Sequence, residues 1–492
     1  MTPLSSHPGR HMVEGSIRVF LAEALFPLTA LITTAFLTRR LGPEGYGLLV
    51  LAATLVVSVE VSINSLFSRA AIKFVGDAED WRPIGSAIAR LHLIVSGSAA
   101  GLLVLLSVPL AQLLNEPALA GYLRLFALDI PLASLAHAYR SVLVGSGRFA
   151  QGALMSAGRW IARLLLIVLL VELGLSVSGA ILGSIGASLV ELTIGQRYVR
   201  LSLFHHPPVS APPLFWRYVL PLFLSALSLS CYNRLDLFAL KVLGGTTVQA
   251  GMYGAAQNLS LLPGLFAISF SPLLLATLSR LLRDGRASLA REISRHAMRA
   301  VLGLLPVAAM IAGTAHEIVR FFFGTTFLPA AQLLGMLIFG AVGLVMISVA
   351  IAIVTAAGKP RWALILTGPL VPLAVIGHLV LIPRFGALGA SIVTTVLAGL
   401  GALVAMLAVY RLWQIVPPTI TLGRSVLVSG LAYTLGVLWP VAGFLVLLKL
   451  LVISSVVLLA FLVLGELTKS ERALVASILP WRTVPAPHPH EV

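Results

Sequence analysis

Charge is what this chain has least of. Only 11% of its 492 residues are Asp, Glu, Lys or Arg, under half of the ~25% found in ordinary soluble domains. With 58% apolar residues and a mean hydropathy of +1.00, too little polar surface exists to cover a water-soluble body of this size. A soluble enzyme is excluded on that ground, and so is an intrinsically disordered chain. One cysteine, Cys231, leaves no disulfide framework and no cysteine-built metal centre. The glycine-rich phosphate loop of nucleotide-driven machines is missing, so direct drive by ATP is not expected. Long polar links are missing too, which places the function within apolar segments or at their ends.

What is present is a succession of apolar stretches, each near the ~20 residues that a membrane-crossing helix needs. Fourteen are expected, at 16–37, 46–67, 84–108, 118–142, 151–172, 177–199, 216–241, 249–278, 297–319, 330–356, 362–382, 386–410, 424–440 and 443–465. The fold class is therefore all-α integral membrane. With the N-terminus inside, 26 of the 34 basic residues fall on the inner segments and seven on the outer ones, with Arg234 inside a span. This Lys/Arg bias puts both termini in the cytoplasm and accounts for most of the +16 net charge, so a nucleic-acid partner is not expected. The first stretch is too long for a cleavable leader and reads as a signal anchor. The histidines His205, His206, His488 and His490 sit in Pro-rich polar segments and read as linker and tail rather than metal ligands.

The chain also contains itself twice. Leu41-Gly42 and Tyr46-Gly47 return as Leu243-Gly244 and Tyr253-Gly254. Pro117-Ala118 returns as Pro329-Ala330, Gly147-Arg148 as Gly358-Lys359, and Leu173-Gly174 with Gly179-Ala180 as Phe385-Gly386 with Gly389-Ala390. The offset is 202 at the first landmark and about 210 beyond it. Six spans per copy is an even number, so the copies face the same way, as a parallel repeat. The expected organisation is an N-terminal lobe (1–200), a cytoplasmic Pro-rich linker (201–215), a C-terminal lobe (216–411), an appended helix pair (424–465) and a cytoplasmic tail (466–492). Two lobes around a central cavity suit alternating access. Close helix packing explains some of the glycines, such as Gly179, Gly183 and Gly186, but not their order.

The segment Arg40-Leu41-Gly42-Pro43-Glu44-Gly45-Tyr46-Gly47 resembles the opening signature of bacterial polysaccharide repeat-unit flippases. These belong to the multidrug/oligosaccharidyl-lipid/polysaccharide exporter superfamily. Asp236, Gly251-Met252-Tyr253-Gly254-Ala255-Ala256, Phe270-Ser271-Pro272 and Leu381-Ile382-Pro383-Arg384-Phe385-Gly386-Ala387-Leu388-Gly389-Ala390 add to the resemblance. It implies secondary transport of an undecaprenyl-pyrophosphate-linked oligosaccharide from the inner to the outer leaflet of the cytoplasmic membrane. It implies no cofactor. The implied partners are membrane lipid, H⁺ or Na⁺ as coupling ion, and the polysaccharide polymerase and glycosyltransferases of the same synthesis.

A charge at the bilayer centre is costly, about 2.5–3.5 kcal/mol on the insertion scale, so each should face a cavity or a partner. Arg159 and Arg163 are four residues apart and share a helix face. Their forked donors suit a phosphate. The alternative is that Arg159 reaches the inner surface while Arg163 pairs with Asp129 or Glu60. Arg234 and Asp236, two apart, point to different faces. With Asn233 they line the cavity or make helix–helix bonds, and Tyr232, Gln257 and Asn258 serve sugar hydroxyls or simply tie helices. Arg18 and Arg140 are further cavity candidates near the inner ends. Glu23, Glu60 and Asp129, all in the first lobe, are the ion-coupling candidates. Glu191 is also intramembrane and acidic. His316-Glu317 begins like a zinc-protease helix but lacks the second histidine. A cation exporter of the multidrug type is the alternative function; it calls for acidic and aromatic walls rather than arginine. A membrane glycosyltransferase would need a large outer loop with an acid/base pair, which no link provides.

Overall fold

A backbone in hydrocarbon has no water to bond, so its polar groups must be satisfied within the segment itself. Every regular element among the described residues is accordingly a helix. The structure, a computed structural model, describes residues 8–78, 80–201, 213–415 and 419–466. The side chains of 8–24, 66, 69, 70, 73, 77, 213–223, 226, 265, 266, 268 and 269 lie outside that description, as do most of the Pro-rich linker with His205 and His206 and the tail with His488 and His490.

Helices α1 (Pro8–Asp77), α2 (Trp81–Leu113), α3 (Leu119–Phe126), α4 (Asp129–Gly145), α5 (Phe149–Leu170) and α6 (Ser176–Val199) pack on one another as a first bundle. A second bundle holds α7 (Pro213–Val242), α8 (Thr247–Ser260), α9 (Leu262–Arg283), α10 (Ala287–Leu302), α11 (Leu305–Gly313), α12 (Ala315–Phe323), α13 (Ala330–Ala356), α14 (Arg361–Thr367), α15 (Leu370–Phe385) and α16 (Ala387–Trp413). Then come α17 (Thr419–Leu438) and α18 (Leu445–Val463), with α17 seated on α11. Ten helical segments among the described residues are long and apolar enough to cross a membrane. Two of these, Leu25–Ser65 and Phe149–Val199, have 41 and 51 residues, about twice what one crossing needs.

Glycine explains how those long runs break. Gly42 takes φ 66° and ψ 178° inside α1, a conformation that side-chain-bearing residues rarely adopt. Its repeat partner Gly244 also has positive φ, at 99°. The same holds for Gly147 and Gly358 (75° and 74°) and for Gly174 and Gly386 (90° and 55°). The duplicated landmarks are thus duplicated chain reversals. The expected span 297–319 begins ten residues early, as α10. That helix buries Ala290, Ser294, Ala297, Met298 and Val301 while Arg291 and Arg295 stay exposed. A one-faced helix averages to low hydropathy and is missed by counting apolar residues.

The links divide into two ends. One, here the basic end, carries Arg148, Arg283, Arg286, Lys359 and Arg361; the other holds 39–47, 113–118, 241–247 and 320–330, and is called the neutral end because its Arg39, Arg40, Lys241 and Arg320 are partly offset by Glu44 and Glu116. Lys449, within the expected span 443–465, is fully buried in the first turns of α18. Its ammonium donates to Glu317 (2.8 Å) and to the Gly436 carbonyl (2.6 Å). At the basic end Glu466 accepts from Arg299 (2.5 Å), Arg424 (2.9 Å) and Thr421 (2.5 Å). Ion pairs at both ends therefore fasten α17 and α18 to the second bundle.

Candidate transport site

Four helices of the first bundle each bring ionisable side chains to one interior region. α1 supplies Glu60, α4 Asp129 and Arg140, α5 Arg159 and Arg163, and α6 Glu191. The tight α5–α6 contact comes from small residues: a methyl group on Gly183 would lie 2.7 Å from Ile167. That proximity sets Glu191 against α5. Its Oε2 accepts from Arg159 Nη1 at 3.1 Å, and its Oε1 stands 4.0 Å from Arg140 Nη1. Arg140 also donates to Ser156 Oγ (2.9 Å) and lies 2.7 Å from His137 Nδ1. Arginine can only donate, so Nδ1 is the acceptor and the His137 proton sits on Nε2, 2.6 Å from Ser68 Oγ.

The carboxylates and the guanidiniums differ in depth. Glu60, Asp129 and Glu191 are 6%, 3% and 0% exposed, whereas the side chains of Arg159 and Arg140 keep 20% and 22% of their surface open. Arg163 is half-buried. The carboxylates are thus the more deeply buried part of the cluster and the guanidiniums the more accessible part. Glu60 acts electrostatically on Asp129, Arg159, Arg163 and, from α7 of the second bundle, Arg234. Three carboxylates thus face three deep guanidiniums, with Arg140 at the edge. Glu60 Oε1, Asp129 Oδ1, Glu191 Oε1, Arg159 Nε and Arg163 Nε are buried without a hydrogen-bond partner, unusual for interior polar atoms. Trp160, beside them, packs at a tilt of 46° against Phe26, with ring centroids 4.5 Å apart, and lies 5.6 Å from the Arg159 guanidinium.

Not every sequence candidate joins this cluster. Arg159 has Glu191 as its partner, an acid to which sequence spacing assigned no role. Arg163 lies within electrostatic reach of Arg159, Asp129 and Glu60. Asp236 is fully buried, and its charge acts on Arg234. It accepts from Tyr253 (2.6 Å), Gln257 (3.2 Å) and the Leu237 N–H (2.8 Å). Asn233 is exposed, and its carbonyl accepts from Gln257 (3.0 Å). Tyr232 and Asn258 tie helices, through the Thr394 carbonyl (2.5 Å) and Tyr46 (2.8 Å). Arg18 and Glu23 fall among the residues whose side chains lie outside the description. The sequence signal for Glu191 and His137 was their polarity within apolar runs; their partners sit on other helices, which spacing does not reveal.

The two bundles meet at the neutral end. Gly47 lies against the Thr247 carbonyl and Gly251 against the Pro43 carbonyl, close enough that a methyl group on either would collide with it. Lys241 donates to Glu116 (2.7 Å), Thr247 donates to the same carboxylate, Arg39 donates to the Phe321 and Phe322 carbonyls, and Asn258 donates to Tyr46. Among the described residues, the hydrogen bonds that cross between bundles are these.

The model of a family described as "Polysaccharide biosynthesis protein" matches residues 36–332. No curated protein matches the chain in sequence. Among solved structures, lipid II flippase MurJ in an inward closed conformation superimposes with a TM-score of 0.71 at 15% identity, over 94% of this chain and 100% of that one. The Vibrio cholerae MATE transporter VcmN gives 0.57 at 17% identity, over 82% and 97%. A MOP-superfamily transporter from Pyrococcus furiosus gives 0.62 at 14%, over 82% and 95%. At these identities the likeness establishes the fold, that of MOP-superfamily transporters.

Proposed function

Because the chain belongs to the polysaccharide biosynthesis protein family, we propose that it is a flippase for undecaprenyl-pyrophosphate-linked oligosaccharide. In this reading the cargo moves from the inner to the outer leaflet of the cytoplasmic membrane by alternating access. The basic end and both termini lie in the cytoplasm, fourteen spans form two six-span lobes and an appended pair, and the glycosyltransferases and polymerase act before and after this step.

What supports the reading is the set of guanidiniums, Arg159, Arg163 and Arg234, gathered within electrostatic reach of buried Glu60. A pyrophosphate bears about two negative charges and cannot enter hydrocarbon bare. Arg159, Arg163 and Arg234 supply forked donors at membrane depth, and charge-assisted bonds to phosphate are the strong ones. The carboxylates behind them stabilise the guanidiniums while the hollow is empty. An arriving pyrophosphate competes with Glu60, Asp129 and Glu191 for the same donors. Carboxylates so displaced need a proton or a metal cation, which is how Glu60 and Asp129 would couple ion movement to cargo. The likeness to MATE transporters fits export of amphipathic cations as a second reading. It is less well supported, because the clustered acids Glu60, Asp129 and Glu191 already lie beside guanidiniums.

The test is reconstitution. In proteoliposomes loaded with undecaprenyl-pyrophosphate-linked oligosaccharide, the wild type should move the lipid to the opposite leaflet, and Arg163→Ala should slow it by roughly tenfold or more, the loss of one charged contact. Equal rates for the two would overturn the assignment of this cluster to cargo handling.

A further inference from the structure

The repeat provides an internal control for the neutral-end contacts. Lys241 stands two residues before Leu243-Gly244, and Arg39 stands two residues before Leu41-Gly42. The two are therefore equivalent positions, and each crosses to the opposite bundle. Arg39 of the first reaches the Phe321 and Phe322 carbonyls of the second. Lys241 of the second reaches Glu116 of the first. What the cations meet differs. Glu116 precedes Pro117-Ala118, and its counterpart before Pro329-Ala330 is Leu328. The duplicated scaffold thus forms this link without a carboxylate, so Glu116 is not there to shape it.

Burial argues the same way. Lys241 is 5% exposed, and Glu116 and Thr247 are its hydrogen-bond partners. A buried ammonium that loses its counter-charge is strongly disfavoured. The pair edges a crevice of about 480 Å³ between the bundles, bordered by Glu44 and Asn115 on one side and Thr246 and Val248 on the other. Water therefore reaches the contact once it parts. Burial pushes the Glu116 carboxyl up, but the Lys241 ammonium and Thr247 hydroxyl outweigh this and hold it below its ordinary value. Lys241 and Thr247 bracket the α7–α8 turn, and α7 also carries Arg234, whose charge acts on Glu60.

We propose that Glu116 is a positioning residue of the transport cycle: its contact with Lys241 and Thr247 clamps the α7–α8 hairpin onto the first bundle, seals the neutral end and holds Arg234 over the hollow. Release of this carboxylate is the step that opens that end. The proposal rests on the alternating-access part of the functional reading and not on the nature of the cargo.

The test uses full-length protein in nanodiscs without cargo, with Cys231→Ser removing the native thiol and spin labels at Glu44→Cys and Val248→Cys. Pulsed distance measurements should show one short distance in the parent. Glu116→Gln and Lys241→Met should each add a longer distance, raising the open-to-closed ratio roughly tenfold or more, equivalent to ~1.4 kcal/mol. The exchange Glu116→Lys with Lys241→Glu should restore the short distance, which a merely space-filling role would not predict. Thr247→Val, which removes only the hydroxyl, should open the end to a smaller degree and serves if a charge variant fails to fold. Unchanged distances in the folded single variants would overturn the clamp. Because no lipid-linked sugar is present, a wrong cargo assignment would leave this result untouched.

Discussion

Replacing Arg159 with methionine separates what this side chain does for the fold from what it does for cargo. Its guanidinium lies 3.1 Å from a Glu191 carboxylate that is wholly inaccessible to water. Removing one partner of a buried pair strands the other charge, at about 3–5 kcal/mol. The low end applies here, since Arg140 stands 4.0 Å from the other oxygen and can partly replace the lost cation. At ~3 kcal/mol, and about 2–4 °C per kcal/mol for units of 150–250 residues, thermal unfolding in detergent should fall by roughly 6–12 °C. Arg159→Met combined with Glu191→Leu replaces the pair by apolar groups of similar volume. That exchange is often neutral or stabilising, so the transition should return close to the parent's. Binding of undecaprenyl pyrophosphate should not return. One charged hydrogen bond is about 1.5–3 kcal/mol, or roughly 10- to 150-fold in affinity. Recovery of both stability and binding in the double variant would show that Arg159 serves the fold alone. An unshifted transition in the single variant would refute the buried pair itself.

Two further outcomes follow from the packing and the ion pairs. Gly47→Val should hold the neutral end apart, because any side chain there meets the Thr247 carbonyl at an overpacking cost of about 1–3 kcal/mol; faster thiol labelling of a Thr246→Cys reporter is expected, and an unchanged rate counts against glycine contact as the seal. Burial raises the Glu466 carboxyl, but Thr421, Arg424 and Arg299 outweigh it and hold it below its ordinary value. A depressed carboxyl contributes stability that is complete above its unfolded value of about 4.3 and is lost as pH falls through the folded one. Melting curves from pH 7 to 3 should therefore drop at the acidic end in the parent and less so in Glu466→Gln.

How much of this was legible in advance depends on how local each feature is. Apolar count and run length are properties of single segments, and they gave a multi-pass helical protein without reference to any contact. The repeated Gly42/Gly244, Gly147/Gly358 and Gly174/Gly386 landmarks were legible for the same reason: positive φ is a demand of one residue's backbone, and glycine meets it wherever it stands. Spacing within one helix also sufficed to bring Arg159 and Arg163 to a shared face. Partner choice was another matter. Glu191 is 32 residues from Arg159, Lys241 is 125 from Glu116, and Lys449 is 132 from Glu317. Each pair lies on different helices, so only the rotation and depth at which those helices pack selects it. The same packing sank Asp236 among Tyr253, Gln257 and Thr394. It left the guanidiniums of Arg159 and Arg140 more accessible than the carboxylates of Glu60, Asp129 and Glu191. Sequence set which charges enter the membrane; tertiary structure set how deeply each is buried and which partner it meets, because burial belongs to a contact between helices and not to either helix alone.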